Sequence, residues 1–192
     1  MAYHSLTLSR TDLIAGLVTT SVDGQTHATR AGDADYRDVR LFDQDGATFT
    51  LRTAGARVCA VTFMATRCSA GRLPNDSMFY RLSREIARER LDAKLVMITM
   101  DPRYDRQYAL AKAARDLRAF APRFRLASGG VFDIAHLLEA FNVRSSFDAR
   151  GLPDLRESFT YILDADAVPQ RAFLSASAGD DDVLAELRAR AR

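Results

Sequence analysis

Val58-Cys59-Ala60-Val61-Thr62-Phe63-Met64-Ala65-Thr66-Arg67-Cys68 runs from an unbroken apolar segment into a turn and delivers a thiol just ahead of a helical pattern. Seven consecutive apolar or β-branched residues, Val58 to Met64, read as a strand buried on both faces, the kind found at the centre of a sheet. A thiol at the start of a helix meets unpaired backbone N–H groups and the positive end of the helix dipole, and both favour thiolate. Arg67 and Arg72 flank it and add positive charge. The strand–turn–Cys–helix order therefore predicts a mixed α/β fold with its chemistry at the carboxyl end of a central strand.

Outward from this stretch, the chain splits into an N-terminal arm, residues 1–35, and one α/β domain, residues 36–192. The arm is polar and rich in Gly, Thr and Asp around Asp23-Gly24 and Gly32-Asp33. Val39 to Phe42 and Thr48 to Arg52 flank Asp43-Gln44-Asp45-Gly46, whose Asp-Gly pair predicts a hairpin turn. Pro74 to Leu91 predicts a helix with Met78, Leu82 and Ile86 on one face, and Leu95 to Met100 a second buried strand. Tyr108 to Phe120 predicts a helix with a stripe of Leu110, Ala113, Leu117 and Phe120, and Phe132 to Phe141 another. Phe159 to Leu163 and Pro169 to Leu174 read as a closing hairpin around Asp164-Ala165-Asp166. The last segment begins with Asp180, Asp181 and Asp182 and ends in Arg188, Arg190 and Arg192, a charge order suited to a helix dipole.

Composition excludes several classes of function. The 192 residues suffice for one core of ordinary size, and 47% are hydrophobic. The 27 basic and 25 acidic residues are interspersed, so no basic face argues for nucleic acid. Two cysteines are too few for a disulfide framework. The N-terminus lacks the basic start and apolar core of a signal peptide, and its best apolar run, Leu13 to Val18, is too short to span a bilayer. The expectation is a cytoplasmic protein without a membrane segment; the sequence does not fix its oligomeric state.

Strands alternating with helices, then a hairpin and a last helix, predict a central mixed sheet with helices on both faces and an N-terminal hairpin, a thioredoxin-like fold. Val39 to Gly46, Thr66-Arg67-Cys68, Ile98-Thr99-Met100-Asp101-Pro102-Arg103-Tyr104-Asp105 and Phe159 to Asp164 then resemble the corresponding motifs of the Sco/SenC family, thioredoxin-fold proteins that help assemble the copper site of cytochrome c oxidase. The resemblance covers about Tyr36 to Leu174. It implies a membrane-anchored relative facing an oxidising compartment, and a copper site made of a Cys-x-x-x-Cys pair plus a histidine before the late strand. Only Cys68 matches that set. The second cysteine position falls on Arg72, and the histidine position, counted back from Asp164, falls on Arg156. Arginine keeps its charge and repels a cation, so both replacements oppose metal binding.

The sequence thus predicts a single-cysteine thiol protein with a degenerate metal site. Cys68 is its nucleophile and Arg67 and Arg72 lower the thiol pKa. Thr66, Arg72 and Arg156 are candidate hydrogen-bond donors to a bound substrate, and the external partner is a small thiol or a partner protein with a cysteine. The alternatives are a non-catalytic assembly module and, by resemblance, a copper chaperone. Whether it is an enzyme stays open; a thiol–disulfide oxidoreductase or thiol peroxidase activity is the form expected, although the peroxiredoxin motif is absent. No cofactor is expected beyond the copper that the resemblance implies. Asp101, at a strand end, is placed to orient the Cys68 loop or to cap the following helix, capping being the simpler expectation, with Pro102 setting the helix entry. Cys59 reads as a small buried hydrophobe, too far along the strand to bridge Cys68. His136 reads as a helix-flank residue, His4 and His27 as exposed residues of the arm, and Met64 as core in preference to a thioether ligand.

Overall fold

The computed structural model describes residues 35–67, 76–143, 146–154, 158–174 and 179–191. The chain enters through a 3-10 turn, Tyr36–Asp38, and a short hairpin, β1 (Leu41–Asp43) and β2 (Thr48–Phe49). Its turn is closed by Asp43, whose Oδ1 accepts from the backbone N–H groups of Asp45 and Ala47, with Gly46 at a φ of 83° that side-chain-bearing residues rarely adopt. Then follow β3 (Val58–Met64), α1 (Asp76–Glu89), β4 (Ala93–Thr99), α2 (Gln107–Leu117), β5 (Phe124–Gly129), α3 (Val131–Ala140), a small hairpin of β6 (Ser146–Phe147) and β7 (Pro153–Asp154), β8 (Phe159–Asp164), β9 (Pro169–Leu174) and α4 (Asp180–Arg190).

Seven strands form one sheet in the order β2-β1-β5-β4-β3-β8-β9. β3, β4 and β5 are parallel at its centre, and the hairpins β1–β2 and β8–β9 add antiparallel edges on either side. All seven residues of β3 are buried, as the apolar run predicts. Alternate side chains feed two cores. On one face Val58, Ala60 and Met64 pack with Met78, Phe79, Leu82 and Ile86 of α1, Leu110 and Ala114 of α2, and Val183, Leu184 and Leu187 of α4. On the other, Cys59, Val61 and Phe63 pack with Ile134 and Leu137 of α3 and with Phe141.

The mixed sheet, the helices on both faces and the N-terminal hairpin are as expected, with three differences. β5 and the β6–β7 hairpin were not predicted; Phe124-Arg125-Leu126-Ala127-Ser128-Gly129 breaks its apolar run with Arg125 and Ser128, which hides a central strand. Arg125 is held there by Asp43, at 3.4 Å, and by the ring of Phe49, whose centroid lies 4.4 Å from its guanidinium. The stripe on α2 also ends early. Arg118 takes a left-handed conformation and its N–H caps the carbonyls of Ala114 and Arg115, so the helix stops at Leu117 and Phe120 is turned outward, 74% exposed. The arm, residues 1–34, lies outside the described residues.

Candidate functional site

The carboxyl ends of β3 and β4 lie side by side. Their pairing extends one step beyond the strands, where the Met100 N–H donates to the Met64 carbonyl at 2.8 Å. The segments that leave the sheet here, 65–67 and 100–106, are joined by two carboxylates.

Asp105 is the inner one. It is fully buried and accepts from the Thr66 N–H at 3.0 Å, from the Thr66 hydroxyl, and from the Thr99 hydroxyl at 2.6 Å. Thr99 in turn accepts from the Asp101 N–H at 2.9 Å. Burial pushes the Asp105 carboxyl above its ordinary value; the hydrogen bonds from Thr66 and Thr99 oppose that shift, and the neighbouring Asp101 charge adds to it. Both the N–H and the hydroxyl of Thr66 are therefore engaged by Asp105.

Asp101 is the outer carboxylate. Its Oδ2 accepts from Arg67 Nε and lies 2.9 Å from a second guanidinium nitrogen, a two-pronged grip. The same guanidinium stacks 4.3 Å above the Tyr104 ring. The Asp101 side chain is nearly buried, while that of Arg67 is 38% exposed. Asp101 is thus bonded to Arg67 and does not cap the next helix. α2 begins at Gln107 with Arg106 at its cap position. The reason is the turn that Pro102 opens: the N–H groups of Tyr104 and Asp105 both return to the Asp101 carbonyl, inserting a turn before the helix.

Of the residues singled out in the sequence, Thr66, Arg67 and Asp101 meet in this frame. Cys68, Arg72 and Arg156 lie outside the described residues. Asp105, Thr99 and Tyr104 carry no role in the sequence reading; the signal for Asp105 was a second acid closely following Asp-Pro, between an apolar strand and a helix. Cys59 is a free thiol buried in the opposite core, and burial pushes it up to about 12 against the pull of Arg125 and Lys94. His136 is partly buried on α3 as expected, with its Nε2 lacking a hydrogen-bond partner among the described residues.

Among the described residues, the donors present do not form a copper site. Among the described residues no three His, Cys, Asp or Glu side chains converge as a metal site. The Met64 thioether is fully buried in the α1 core. The residues at the site's edge offer a guanidinium and two carboxylates engaged elsewhere, against the soft thiolates and imidazole that copper prefers.

A SCO1/SenC family model matches residues 27–192. The chain is similar in structure to a SCO1/SenC family lipoprotein from Bacillus anthracis, with 18% identity, a TM-score of 0.68 and coverage of 80% of this chain and 92% of that one. It is also similar to the copper-bound ScoI of Bradyrhizobium japonicum, at 19% identity, a TM-score of 0.60 and coverage of 79% and 96%. A Xanthomonas campestris bacterioferritin comigratory protein studied for alkyl peroxide reduction matches at 22% identity and a TM-score of 0.58, over 82% and 94%. These likenesses fix the fold. No curated protein matches the chain. No helix among the described residues is long and apolar enough to cross a membrane.

Proposed function

Because the chain belongs to the SCO1/SenC family and carries a degenerate form of its metal site, we propose that it works as a single-cysteine thiol protein, with Cys68 as the nucleophile and copper handling lost. The observation that supports this reading is the frame just described. Of the two residues before Cys68, Thr66 is tied to Asp105 through its N–H and its hydroxyl, and Arg67 to Asp101 through its guanidinium. These bonds hold the stem of the segment that leads to Cys68.

The reaction is thiol–disulfide exchange. The Cys68 thiolate attacks one sulfur of an external disulfide, forming a mixed disulfide and expelling the other sulfur as thiolate. A second external thiolate then attacks the mixed disulfide and regenerates Cys68, so that electrons pass between two partners and none are stored. Arg67 acts as a positioning residue: its charge is already paired with Asp101, which leaves Arg72 and the backbone N–H groups as the main stabilisers of the thiolate.

The test is the rate of iodoacetamide alkylation against pH in the Cys59→Ser protein. The expected profile is a thiolate that forms below the ~8.5 of a free cysteine. Arg67→Gln should raise the apparent pKa, and Asp101→Asn, which removes a nearby negative charge, should lower it. An ordinary, unshifted profile in all three would favour the non-catalytic assembly module. A Cu(I) titration against a competing chelator, beside Cys68→Ser, is expected to show no competitive binding; tight binding lost in the variant would restore the chaperone reading.

A further inference from the structure

At the opposite end of the sheet from the Cys68 loop, α1 and the turn between α2 and β5 enclose a cleft of about 260 Å³. Tyr80, Ser83, Arg84 and Ala87 face it from α1 at helical spacings of three, four and seven, and Arg118, Phe120, Arg123 and Phe124 close it from the other side. Its floor is apolar: Phe124 is buried and packs on Phe79 with ring centroids 5.9 Å apart. Its rim is cationic. Among the described residues no acidic side chain pairs with Arg84, Arg118 or Arg123, although most other arginines of the domain are in ion pairs. Phe120 stands 74% exposed beside them.

The backbone that carries these groups is fixed. The Phe124 N–H donates to the Phe120 carbonyl at 2.9 Å, and the Arg123 carbonyl accepts from Leu95 of β4 at 2.9 Å. Arg118 sits at a φ of 51°, the helix-ending position where glycine is the usual residue, so the guanidinium is carried at a place the backbone alone would fill with glycine. Three unpaired cations above an aromatic floor suit a ligand with an apolar body and an acidic head. A cavity of ~150 Å³ accepts benzene, so this cleft has space for a ring and its acid group.

We propose that this cleft binds a small amphiphilic anion, an aryl or short alkyl group carrying one carboxylate, sulfonate or phosphate, with the ring between Tyr80, Phe120 and Phe124 and the acid group held by Arg118 and Arg123. The site lies apart from the Thr66–Asp105 frame.

The probe is 2-naphthalenesulfonate, titrated into the full chain by calorimetry and by 1H–15N NMR, with 2-naphthalenemethanol as its neutral counterpart. The expected result is one saturable site, amide shifts centred on residues 80–87 and 118–124, and binding at least tenfold weaker for the neutral compound. Arg118→Gly relieves the left-handed backbone while removing one cation, so it should leave the melting temperature unchanged or raised and weaken the sulfonate about tenfold. Arg123→Gln should weaken it similarly and serves as an independent check on the first variant. Equal affinity for the two compounds, shifts that map elsewhere, or unchanged affinity in Arg123→Gln would overturn the proposal. So would a cleft that takes no sulfonate.

Discussion

Asp105 is the residue on which the candidate site turns, since it accepts from three donors. Truncating it to Ala leaves the buried Thr99 hydroxyl and the half-buried N–H and hydroxyl of Thr66 without their acceptor, at an expected cost of about 2–3 kcal/mol in urea unfolding. Its pH dependence has a definite sign. The unfolded carboxyl titrates near 3.8, and burial raises it in the fold. Between those two values the folded protein holds a proton that the unfolded chain has released. The stability linked to protonated Asp105 is therefore complete below pH 3.8 and is lost as pH rises through the folded value. Asp105→Asn mimics the protonated carboxyl and cannot ionise, so its stability relative to wild type should grow with pH across this window. Parallel unfolding curves at every pH would show that Asp105 is not the titrating group. The sequence made Asp101 visible because it stands at a strand end. Asp105 stayed obscure because its meaning depends on Thr66, distant in sequence and reached only when β3 and β4 pair.

The elements show the same division between local and long-range information. β3 and β4 are legible because continuous apolar runs admit few other placements, and α1 because Met78, Leu82 and Ile86 repeat every four residues. β5 was hidden because Arg125 and Ser128 break its apolar run, and the contacts that accommodate Arg125, with Asp43 and Phe49 of the opening hairpin, exist only in the tertiary structure. α4 carries a legible charge order, and its docking follows from it. Arg188 meets Glu89 near the end of α1 at 2.5 Å, and Arg81 meets Asp180 at 3.1 Å. These exposed pairs set orientation more than stability, with each contributing about 0–1 kcal/mol. The burial of Val183, Leu184 and Leu187 is the larger effect. Leu187→Ala should cost about 2–5 kcal/mol in chemical denaturation, and Arg81→Ala less than about 1. On the other face, Tyr161 donates to the Phe141 carbonyl at 2.6 Å, at the end of α3. Tyr161→Phe should cost about 1 kcal/mol by the same measurement.

At the scale of the whole molecule, burial separates what Cys59 can do from the reactivity proposed for Cys68. Cys59 lies in the α3 core with its thiol pushed up to about 12, so the native protein should expose no second reactive thiol from this residue. In a disulfide-exchange colour assay the native chain is expected to react once, through Cys68, and twice after unfolding; the Cys68→Ser protein should be silent until it unfolds. A native count of two would mean that the α3 core opens on the assay's timescale. Fold, family and the loss of the metal ligands were readable in order and spacing. The carboxylate frame and the arginine-rimmed cleft were not, because each is assembled from segments that meet only across the sheet.

Every contact of the frame described here is made by Met64, Thr66, Arg67, Thr99, Met100, Asp101, Tyr104 and Asp105, none of which is a position where the family resemblance expects a metal ligand. Such an arrangement separates heritable support from heritable chemistry. A cysteine or a histidine can be exchanged for arginine without rebuilding the stem beneath it. The same separation makes the change open to reversal by design. Cysteine at 72 and histidine at 156 are two substitutions away, and a gain of Cu(I) binding by that double variant would show the old site to be dormant and not dismantled.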